Sequence, residues 1–373
     1  MLILLTLALI LVGCKDEKNG GSGDNKNDNK SKDLKVAFVY VGIIGDAGWT
    51  FTHDQARIQL ERDFPNIKTS YVESVKDGAS SKKVFEKLAK DGNDLIIGTS
   101  LDHEENMLET AKLFPGVKFL HCSGSKISNN MGTYFGKMYQ ARYLTGLVAG
   151  NMTDTNKIGY VAAYPVPDVI RGINGFTVGV RKVNPSAKVF VVWTNTWFDP
   201  LKERKAAEYL LDRGCDVLAQ HQDSPASQLT AREYGKFCIG YNCDMSIFAP
   251  NVHLVSPIWR WGVYYEKAIK NIENGTWRPS RYWGGMKEGI VDISPIGEMV
   301  PKHIREQVEQ ERKDIIFGRT RIFEGPIRDN KGKIIYMMGE NPDDNELWNM
   351  DFFVEGVVIK DRKANKVIKK KKK

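Results

Sequence analysis

In the first half of the chain, short apolar runs alternate with longer polar segments that are compatible with helices. The apolar runs are rich in β-branched and aromatic residues and predict strands at 35–42, 67–73, 94–98 and 117–122. The segments between them predict helices at 50–63, 79–90 and 103–113. Continuous apolar strands separated by helices are typical of a parallel sheet that helices cover on both faces.

The same alternation returns in the second half of the chain. Helices are predicted at 139–152, 168–183, 200–213 and 225–234. The strands between them are predicted at 158–162, 187–193, 216–219 and 237–240, and later segments predict helices at 259–274 and 302–315 and a hairpin turn at 329–332. The sequence therefore predicts an α/β protein with two doubly wound units, which agrees with a length of 373 residues.

The first residues of the chain have the pattern of a targeting signal. Residues 2–12 are apolar throughout, and eleven residues are too few to span a bilayer as a stable helix. The run ends in Leu11-Val12-Gly13-Cys14, which resembles a bacterial lipobox, where the cysteine is lipidated and becomes the new first residue. We therefore expect a signal peptide over 1–13 and a lipid anchor on Cys14, which would hold the protein at the cell envelope outside the cytoplasm.

Two polar segments flank the predicted α/β body. Residues 15–33 contain no apolar side chain, so with Cys14 they predict a disordered tether over 14–33. Residues 360–373 contain nine lysines and arginines and one aspartate, and so carry the whole net charge of +8. We expect this segment to be a basic disordered tail. The neutral remainder gives no support for a protein that coats nucleic acid.

The predicted turns that follow strands are the candidate sites, because ligands of open α/β sheets bind beyond the carboxyl ends of the strands. Several of these turns combine a carboxylate or amide with an aromatic residue. They lie at 45–50, 194–199, 220–224 and 241–244. Carboxylates and amides can pair with N–H donors, and tryptophan offers a flat face for stacking. This combination suits a planar heteroaromatic ligand.

Signatures of catalysis and of cofactor binding are mostly absent from the sequence. There is no phosphate-binding loop, no dinucleotide-binding glycine motif after the first strand and no nucleophile elbow. The six histidines form no His-Glu-x-x-His pair, and no Cys-x-x-Cys supports a structural zinc site. We therefore expect a protein that is not an enzyme and that needs no cofactor or metal.

The chain resembles the basic membrane protein family of lipoproteins, of the purine nucleoside receptor type. The most specific motifs are the opening loop 39–50, Tyr143-Leu-Thr-Gly-Leu-Val-Ala-Gly150, Gly240-Tyr-Asn-Cys-Asp244 and Phe353-Val-Glu-Gly-Val357. The resemblance implies a substrate-binding protein of an ABC importer with the type I periplasmic-binding-protein fold. In that fold two doubly wound lobes, joined by a hinge that the chain crosses near 135, 256 and 285, close around a ligand that is then delivered to a permease.

The resemblance also implies the lobe boundaries and a first set of ligand-binding residues. The N-terminal lobe would comprise 34–135 and 257–285, and the C-terminal lobe 136–256 and 286–359. The family binds purines between aromatic rings of the two lobes. On this chain the site residues would be Asp46 and Trp49 in the first loop, Trp197 and Phe198 in the opposing loop, and Asn242 and Asp244.

Several positions depart from the family pattern. Trp259 stands where nucleoside-binding relatives carry a lysine that goes with a ribose contact, and Tyr139 precedes Tyr143-Leu-Thr-Gly where relatives are acidic. Asp223 lies in a segment that is glycine-rich in relatives. These three residues are weaker site candidates. A bulky ring in place of a sugar contact favours a smaller ligand, so we expect a free purine base such as adenine, bound by a monomer.

Other interpretations of the same residues stay open at this point. Asp46, Asp223 and Asp244 could each cap the helix that follows, and Trp49 could pack between the lobes. The sequence does not decide which of Trp197 and Phe198 faces the cleft. A nucleoside-binding member of the family, a sugar-binding importer subunit of the same fold and a surface adhesin or antigen remain alternatives to a protein that binds a free base.

Overall fold

A computed structural model of the chain describes residues 33–76 and 78–359. The predicted signal peptide, the lipidation site Cys14, all but the last residue of the predicted tether and the basic tail lie outside these residues. Within the described part of the chain, no helix is both long enough and apolar enough to cross a membrane.

Strands and helices alternate along the described chain. The strands are β1 (Leu34–Val39), β2 (Ile67–Val72), β3 (Leu95–Gly98), β4 (Lys118–Cys122), β5 (Met131–Gly136), β6 (Lys157–Ala162), β7 (Lys188–Trp193), β8 (Val217–His221), β9 (Phe237–Ile239), β10 (His253–Val255), β11 (Pro257–Trp259), β12 (Arg281–Gly284), β13 (Val291–Ile293), β14 (Ile327–Arg328), β15 (Ile334–Tyr336) and β16 (Val357–Ile359). The helices are α1 (Trp49–Asp63), α2 (Ala79–Lys90), α3 (Glu104–Leu113), α4 (Tyr139–Met152), α5 (Pro167–Val183), α6 (Pro200–Leu211), α7 (Ala226–Glu233), α8 (Trp261–Glu273), α9 (Lys302–Ile316) and α10 (Asp344–Trp348).

The strands form two large parallel sheets, which confirms the predicted α/β fold with two doubly wound lobes. The first sheet has the order β12-β5-β4-β3-β1-β2, and the second has the order β10-β9-β8-β6-β7-β16. The order reverses beside β1 in the first sheet and beside β6 in the second. In open α/β sheets the crevice at such a reversal, beyond the carboxyl ends of the strands, is where ligands bind.

The central strands are apolar on both faces because helices cover both sides of each sheet. Val36, Phe38 and Ile97 of the first sheet are fully buried, as are Val161 and Leu218 of the second. Burial on both faces is the reason that these strands are continuous apolar runs in the sequence.

Glycines allow the helices α4 and α5 to pack backbone against backbone in the second lobe. A Cβ atom on Gly146 of α4 would lie 2.1 Å from the carbonyl oxygen of Phe176. In the reverse direction, a Cβ atom on Gly179 of α5 would lie 2.1 Å from the carbonyl oxygen of Tyr143. The two helices can approach this closely only because neither glycine carries a side chain, and the close packing makes them one rigid layer.

The chain passes between the two sheets three times, so the hinge consists of three segments of the chain. The passages lie between β5 and β6, between β10 and β12, and between β12 and β16. Next to them β11 pairs antiparallel with β13, and Trp259 lies opposite Val291. The fold is therefore a two-lobed clamp with a multi-crossover hinge.

Most predicted elements are confirmed to within a few residues, with two informative differences. The strand β5 was not predicted, because glycine at both ends of Gly132-Thr-Tyr-Phe-Gly136 masks a fully buried strand. The helix predicted at 259–274 starts at Trp261, because residues 257–259 form β11 instead. The predicted hairpin turn at 329–332 is confirmed by the antiparallel pair β14 and β15.

Candidate ligand-binding cleft

The loops at the carboxyl ends of the two sheets touch each other at a small contact, here called the rim contact, formed by Ala47, Gly48, Asp223 and Cys243. The thiol of Cys243 donates a hydrogen bond to the carbonyl oxygen of Ala47, with an Sγ–O distance of 3.2 Å. A Cβ atom on Gly48 would lie only 2.3 Å from the carbonyl oxygen of Asp223. The structure is therefore in a closed conformation, with the loop after β1 against the loops after β8 and β9.

Asp46 lies just before α1 and is almost fully buried. Its carboxylate accepts hydrogen bonds from the backbone N–H groups of Gly48, Thr50 and Phe51 at 2.8, 2.9 and 3.0 Å. Burial raises the pKa of Asp46, and these hydrogen bonds partly offset the rise. The side chain thus has the helix-capping role that the sequence left open, and it holds the first loop in shape.

Trp49 lies on the first-lobe wall of the cleft and is half-buried. Its Nε1–H donates a hydrogen bond of 2.8 Å to the carbonyl oxygen of Thr99, at the end of β3. The ring meets Trp259 and Trp261 edge to face, with centroids 5.8 and 5.4 Å apart. One polar bond and several ring contacts therefore fix the orientation of this indole.

Trp259 belongs to the same aromatic block. Its ring stacks on Trp261 at a centroid distance of 4.3 Å, and its Nε1–H donates to Oδ1 of Asn242 at 3.1 Å. Asn242 is fully buried, has a φ of +70°, and donates from Nδ2 to Oδ1 of Asp223 at 3.0 Å. Both ends of the Asn242 side chain are therefore engaged within the protein, and it connects the hinge to the rim contact.

Asp223 is the most strongly perturbed carboxyl group near the rim contact. Burial is the main cause of a pKa well above the usual range, and the nearby charge of Asp46 raises it further. The hydrogen bond from Asn242 acts in the opposite direction. On α6, Glu203 accepts a hydrogen bond from the hydroxyl of Ser224, the residue after Asp223, and burial raises the pKa of Glu203 to about 7.

Trp197 and Phe198 differ in what they contact. Trp197 is 38 % exposed, and its ring lies 5.2 Å from Tyr164 and 6.3 Å from His221. Phe198 is 41 % exposed. Tyr164 and His221 stand at the carboxyl ends of β6 and β8, so Trp197 packs against the second-lobe wall and remains partly exposed.

Two predicted site residues lie apart from this arrangement. Asp244 is exposed, and its carboxylate accepts a hydrogen bond of 2.9 Å from the backbone N–H of Ser246, in the turn that follows. Tyr139 is buried at the start of α4, where its ring lies 5.5 Å from Phe323 and 6.2 Å from Trp283. The structure brings neither side chain to the aromatic residues of the cleft.

A polar cluster in the second lobe, formed by Arg142, Tyr160, Asp168, His221 and Tyr241, was missed by the sequence reasoning. The guanidinium group of Arg142 is fully buried and lies 3.9 Å from the centroid of the Tyr241 ring. Its Nη1 donates to the carbonyl oxygen of Gln220 at 2.7 Å. A signal was available, since Arg142 is the single charged residue within the apolar helix 139–152.

Residues 33–330 match the family described as ABC transporter substrate-binding protein, PnrA-like. The chain belongs to this family. Members bind substrates for ABC importers outside the cytoplasm and are not enzymes, which confirms the predicted family, its importer role and the absence of catalysis.

Two similar proteins are named for different ligands. A purine-binding protein of Brucella abortus (strain 2308) is 40% identical over 325 residues, covering 87% of this chain and 93% of the relative. A putative ABC transporter glucose-binding protein of Haloferax volcanii is 37% identical over 334 residues, covering 90% of this chain and 83% of the relative.

A solved structure supports the fold. An ABC transporter solute-binding protein from Aeropyrum pernix K1 superimposes with a TM-score of 0.69 at 18% sequence identity, covering 86% of this chain and all of that one. At this identity the similarity concerns the fold alone.

Proposed function

We propose that this family member captures a free purine base, adenine in the first instance, and delivers it to the permease of an ABC importer. The observation that carries the proposal is the pair of indole rings on opposite walls of the cleft. Trp49 is fixed on the first lobe by its bond to Thr99, and Trp197 is 38 % exposed on the second. A 40% identical relative named for purine binding supports the same ligand class.

The geometry supports capture by closure. A ligand that contacts both walls stabilises the closed state, because only that state makes both sets of contacts. The rim contact already joins Gly48 to Asp223 and Cys243 to Ala47 across the cleft mouth. Two aromatic faces and a few hydrogen bonds are enough for micromolar binding, about 8 kcal/mol.

The preference for a base over a nucleoside rests on Trp259. This residue is buried against Trp261, and a Cβ atom on Gly136 would lie 2.5 Å from its ring. The ring therefore occupies volume beside the hinge that a smaller or more flexible side chain would leave open. A ligand without a sugar needs less of this volume.

Glucose is the second candidate ligand, because the 37% identical relative from Haloferax volcanii is named for glucose binding. A free tryptophan face such as that of Trp197 also stacks on the apolar face of a sugar ring. Sugar hydroxyls both donate and accept hydrogen bonds, so they also suit a wall that contains carboxylate and guanidinium groups.

The test has two steps. Mass spectrometry of small molecules released from denatured, freshly purified protein identifies any ligand that is carried along. Isothermal titration calorimetry on ligand-free protein then compares adenine, hypoxanthine, adenosine and glucose. Tightest binding of adenine supports the proposal. Equal or tighter binding of adenosine contradicts the argument from Trp259, and binding of glucose alone contradicts the purine assignment.

We also propose that Cys14 anchors a monomer to the cell envelope and that the lobes divide as the sequence predicts, at 34–135 with 257–285 and at 136–256 with 286–359. The motif ending in Cys14 supports the anchor. Intact mass of the protein expressed from its full gene in a bacterial host tests it: a diacylglycerol-modified chain starting at Cys14 is expected. An unmodified wild-type chain, or a Cys14→Ser variant that still carries the diacylglycerol group, contradicts the anchor.

A further inference from the structure

The polar cluster of the second lobe contains hydrogen-bonding groups that the protein itself does not use. The Nε and Nη2 atoms of Arg142 are buried and have no hydrogen-bond partner among the described residues. The same holds for Nδ1 of His221. A buried donor without a partner costs free energy, so such groups normally serve a ligand or an ordered water.

These unused groups converge on one space. An atom placed on Cα of Gly172 would lie 3.7 Å from Nδ1 of His221 and 3.8 Å from Nε of Arg142. Asp168 stands four residues before Gly172 on α5, and therefore on the same face of the helix. The cation of α4 and the imidazole of β8 thus meet beside Gly172 of α5, and Asp168 lies on the same face of that helix.

The cluster lies next to the second-lobe wall of the cleft. His221 ends β8 beneath the ring of Trp197, at a centroid distance of 6.3 Å. Asp168, near the start of α5, is partly exposed. The cluster therefore lies beside the ring proposed to stack on the ligand, and its carboxylate residue is not fully enclosed by the protein.

The cluster has a defined chemistry. Stacking on Tyr241 and the bond to Gln220 hold the guanidinium of Arg142, so its remaining N–H groups point in a fixed direction. Burial, together with the charges of Arg142 and Arg171, keeps the pKa of His221 well below its usual value, so the ring is neutral. The other buried cation, Arg171, donates to the carbonyl oxygens of Leu347 and Trp348. Arg142 and Asp168 therefore offer one donor group and one acceptor group, which suits an uncharged ligand edge that carries both kinds of group.

We propose that Arg142, Asp168 and His221 form the hydrogen-bonding wall of the ligand site in the second lobe. In this arrangement Asp168 accepts from a ligand amino group, and Arg142 donates to a neighbouring ring nitrogen of an uncharged purine base. The inference rests on the proposed function. It adds that the purines that bind best are those whose edge carries a hydrogen-bond donor next to an acceptor.

The experiment pairs variants of the wall with purines that lack one polar group. Calorimetry measures the dissociation constants of adenine and of unsubstituted purine, which lacks the amino group, for wild type and Asp168→Ala. We expect the variant to lose about 10-fold or more in affinity for adenine, a typical effect of one charge-assisted hydrogen bond, and less than about 2-fold for purine. Adenosine monophosphate should bind neither protein.

A second variant and a control make the result specific. Arg142→Lys keeps the charge but cannot place N–H groups at the same positions, so it should lower the affinity for adenine about 10-fold. The affinities of 1-deaza-, 3-deaza- and 7-deazaadenine, each of which lacks one ring nitrogen, are measured as well. The analogue that lacks the nitrogen bound by Arg142 should bind the variant nearly as well as it binds wild type. Asp216→Ala removes a buried carboxylate at the opposite end of β8, where it accepts hydrogen bonds from Thr153, Asp154 and Thr155. This control should lower the melting temperature without changing the affinity for adenine.

The outcomes separate this inference from the proposed function. In one outcome, wild type binds adenine while the two wall variants lower the affinity for every purine equally, or for none. In that case the three side chains have only a structural role and the inference is wrong, but the proposal of purine capture stands. Tight binding of adenosine monophosphate by wild type also refutes it. If wild type binds no purine, the proposed function fails and the inference fails with it.

Discussion

The substitution Gly48→Ala should prevent full closure of the clamp without disturbing either lobe. A Cβ atom at this position would lie 2.3 Å from the carbonyl oxygen, 2.6 Å from Cα and 2.8 Å from the carbonyl carbon of Asp223. Ordinary contacts of a Cβ atom begin near 3.4 Å, so the two loops must separate by about 1 Å. All three partner atoms belong to backbone, so no side chain can rotate away to relieve the clash.

The cost of this separation follows from the contacts that close the mouth. The bond between the Cys243 thiol and the Ala47 carbonyl, now 3.2 Å, would lengthen beyond hydrogen-bonding distance. The packing of Gly48 on Asp223 would be lost as well. One hydrogen bond and a patch of van der Waals contact are together worth about 1.5–3 kcal/mol, which corresponds to a rise of about 10- to 150-fold in the dissociation constant of the ligand.

Calorimetry with the ligand identified for wild type measures this effect, and small-angle scattering of the saturated protein reports closure. Gly45→Ala, in the same loop, is the matched control, because no atom lies within 4 Å of its added Cβ. The melting temperature without ligand should stay within about 2 °C for both variants, since an open clamp does not form the rim contact. An affinity of Gly48→Ala within 2-fold of wild type would refute the closed rim contact.

Three further predictions concern separate parts of the molecule. Trp197→Ala should weaken a stacked ligand about 10-fold or more in calorimetry, whereas Phe198→Ala should change its affinity less than about 3-fold; the reverse order would show that the wrong ring was chosen. Gly146→Ala should lower the free energy of unfolding in urea by about 1–3 kcal/mol because of its contact with α5, and Gly116→Ala, whose Cβ meets nothing within 4 Å, should not. Because the pKa of buried Glu203 is raised to about 7 in the fold, the stability that its protonated form contributes is complete below the unfolded pKa and is lost as pH rises through 7. Wild type should therefore lose stability between pH 5 and 8 in urea titrations, by an amount on the order of 3 kcal/mol relative to Glu203→Gln, and equal slopes would contradict the raised pKa.

The fold was predictable because its strands are buried on both faces. Runs such as 35–42 and 187–193 are apolar enough to stand out from the helices around them. The strand β5 is equally buried but contains two glycines and a threonine, so its composition does not mark it as a buried strand. Strands were predicted correctly where apolar side chains indicate burial. The strand β5 was not predicted because glycines form part of its buried surface.

The candidate site was predictable only in part. The loops after the strands were located correctly, but the sequence could not decide whether Asp46 binds a ligand or caps α1, since both uses need a carboxylate at the same place. The capping hydrogen bonds became visible only in three dimensions. Arg142 and His221 are 79 positions apart in sequence, so their convergence on Gly172 depends on packing that no local pattern encodes.

The pairing of β11 with β13 has a mechanical consequence. These two strands stand beside different passages of the chain between the lobes, and their hydrogen bonds tie the passages into one ribbon. A ribbon bends about a single axis, whereas three independent linkers would let the lobes twist and slide. The pairing therefore favours bending of the lobes about one axis over twisting and sliding, so that the open and closed states differ mainly in one angle.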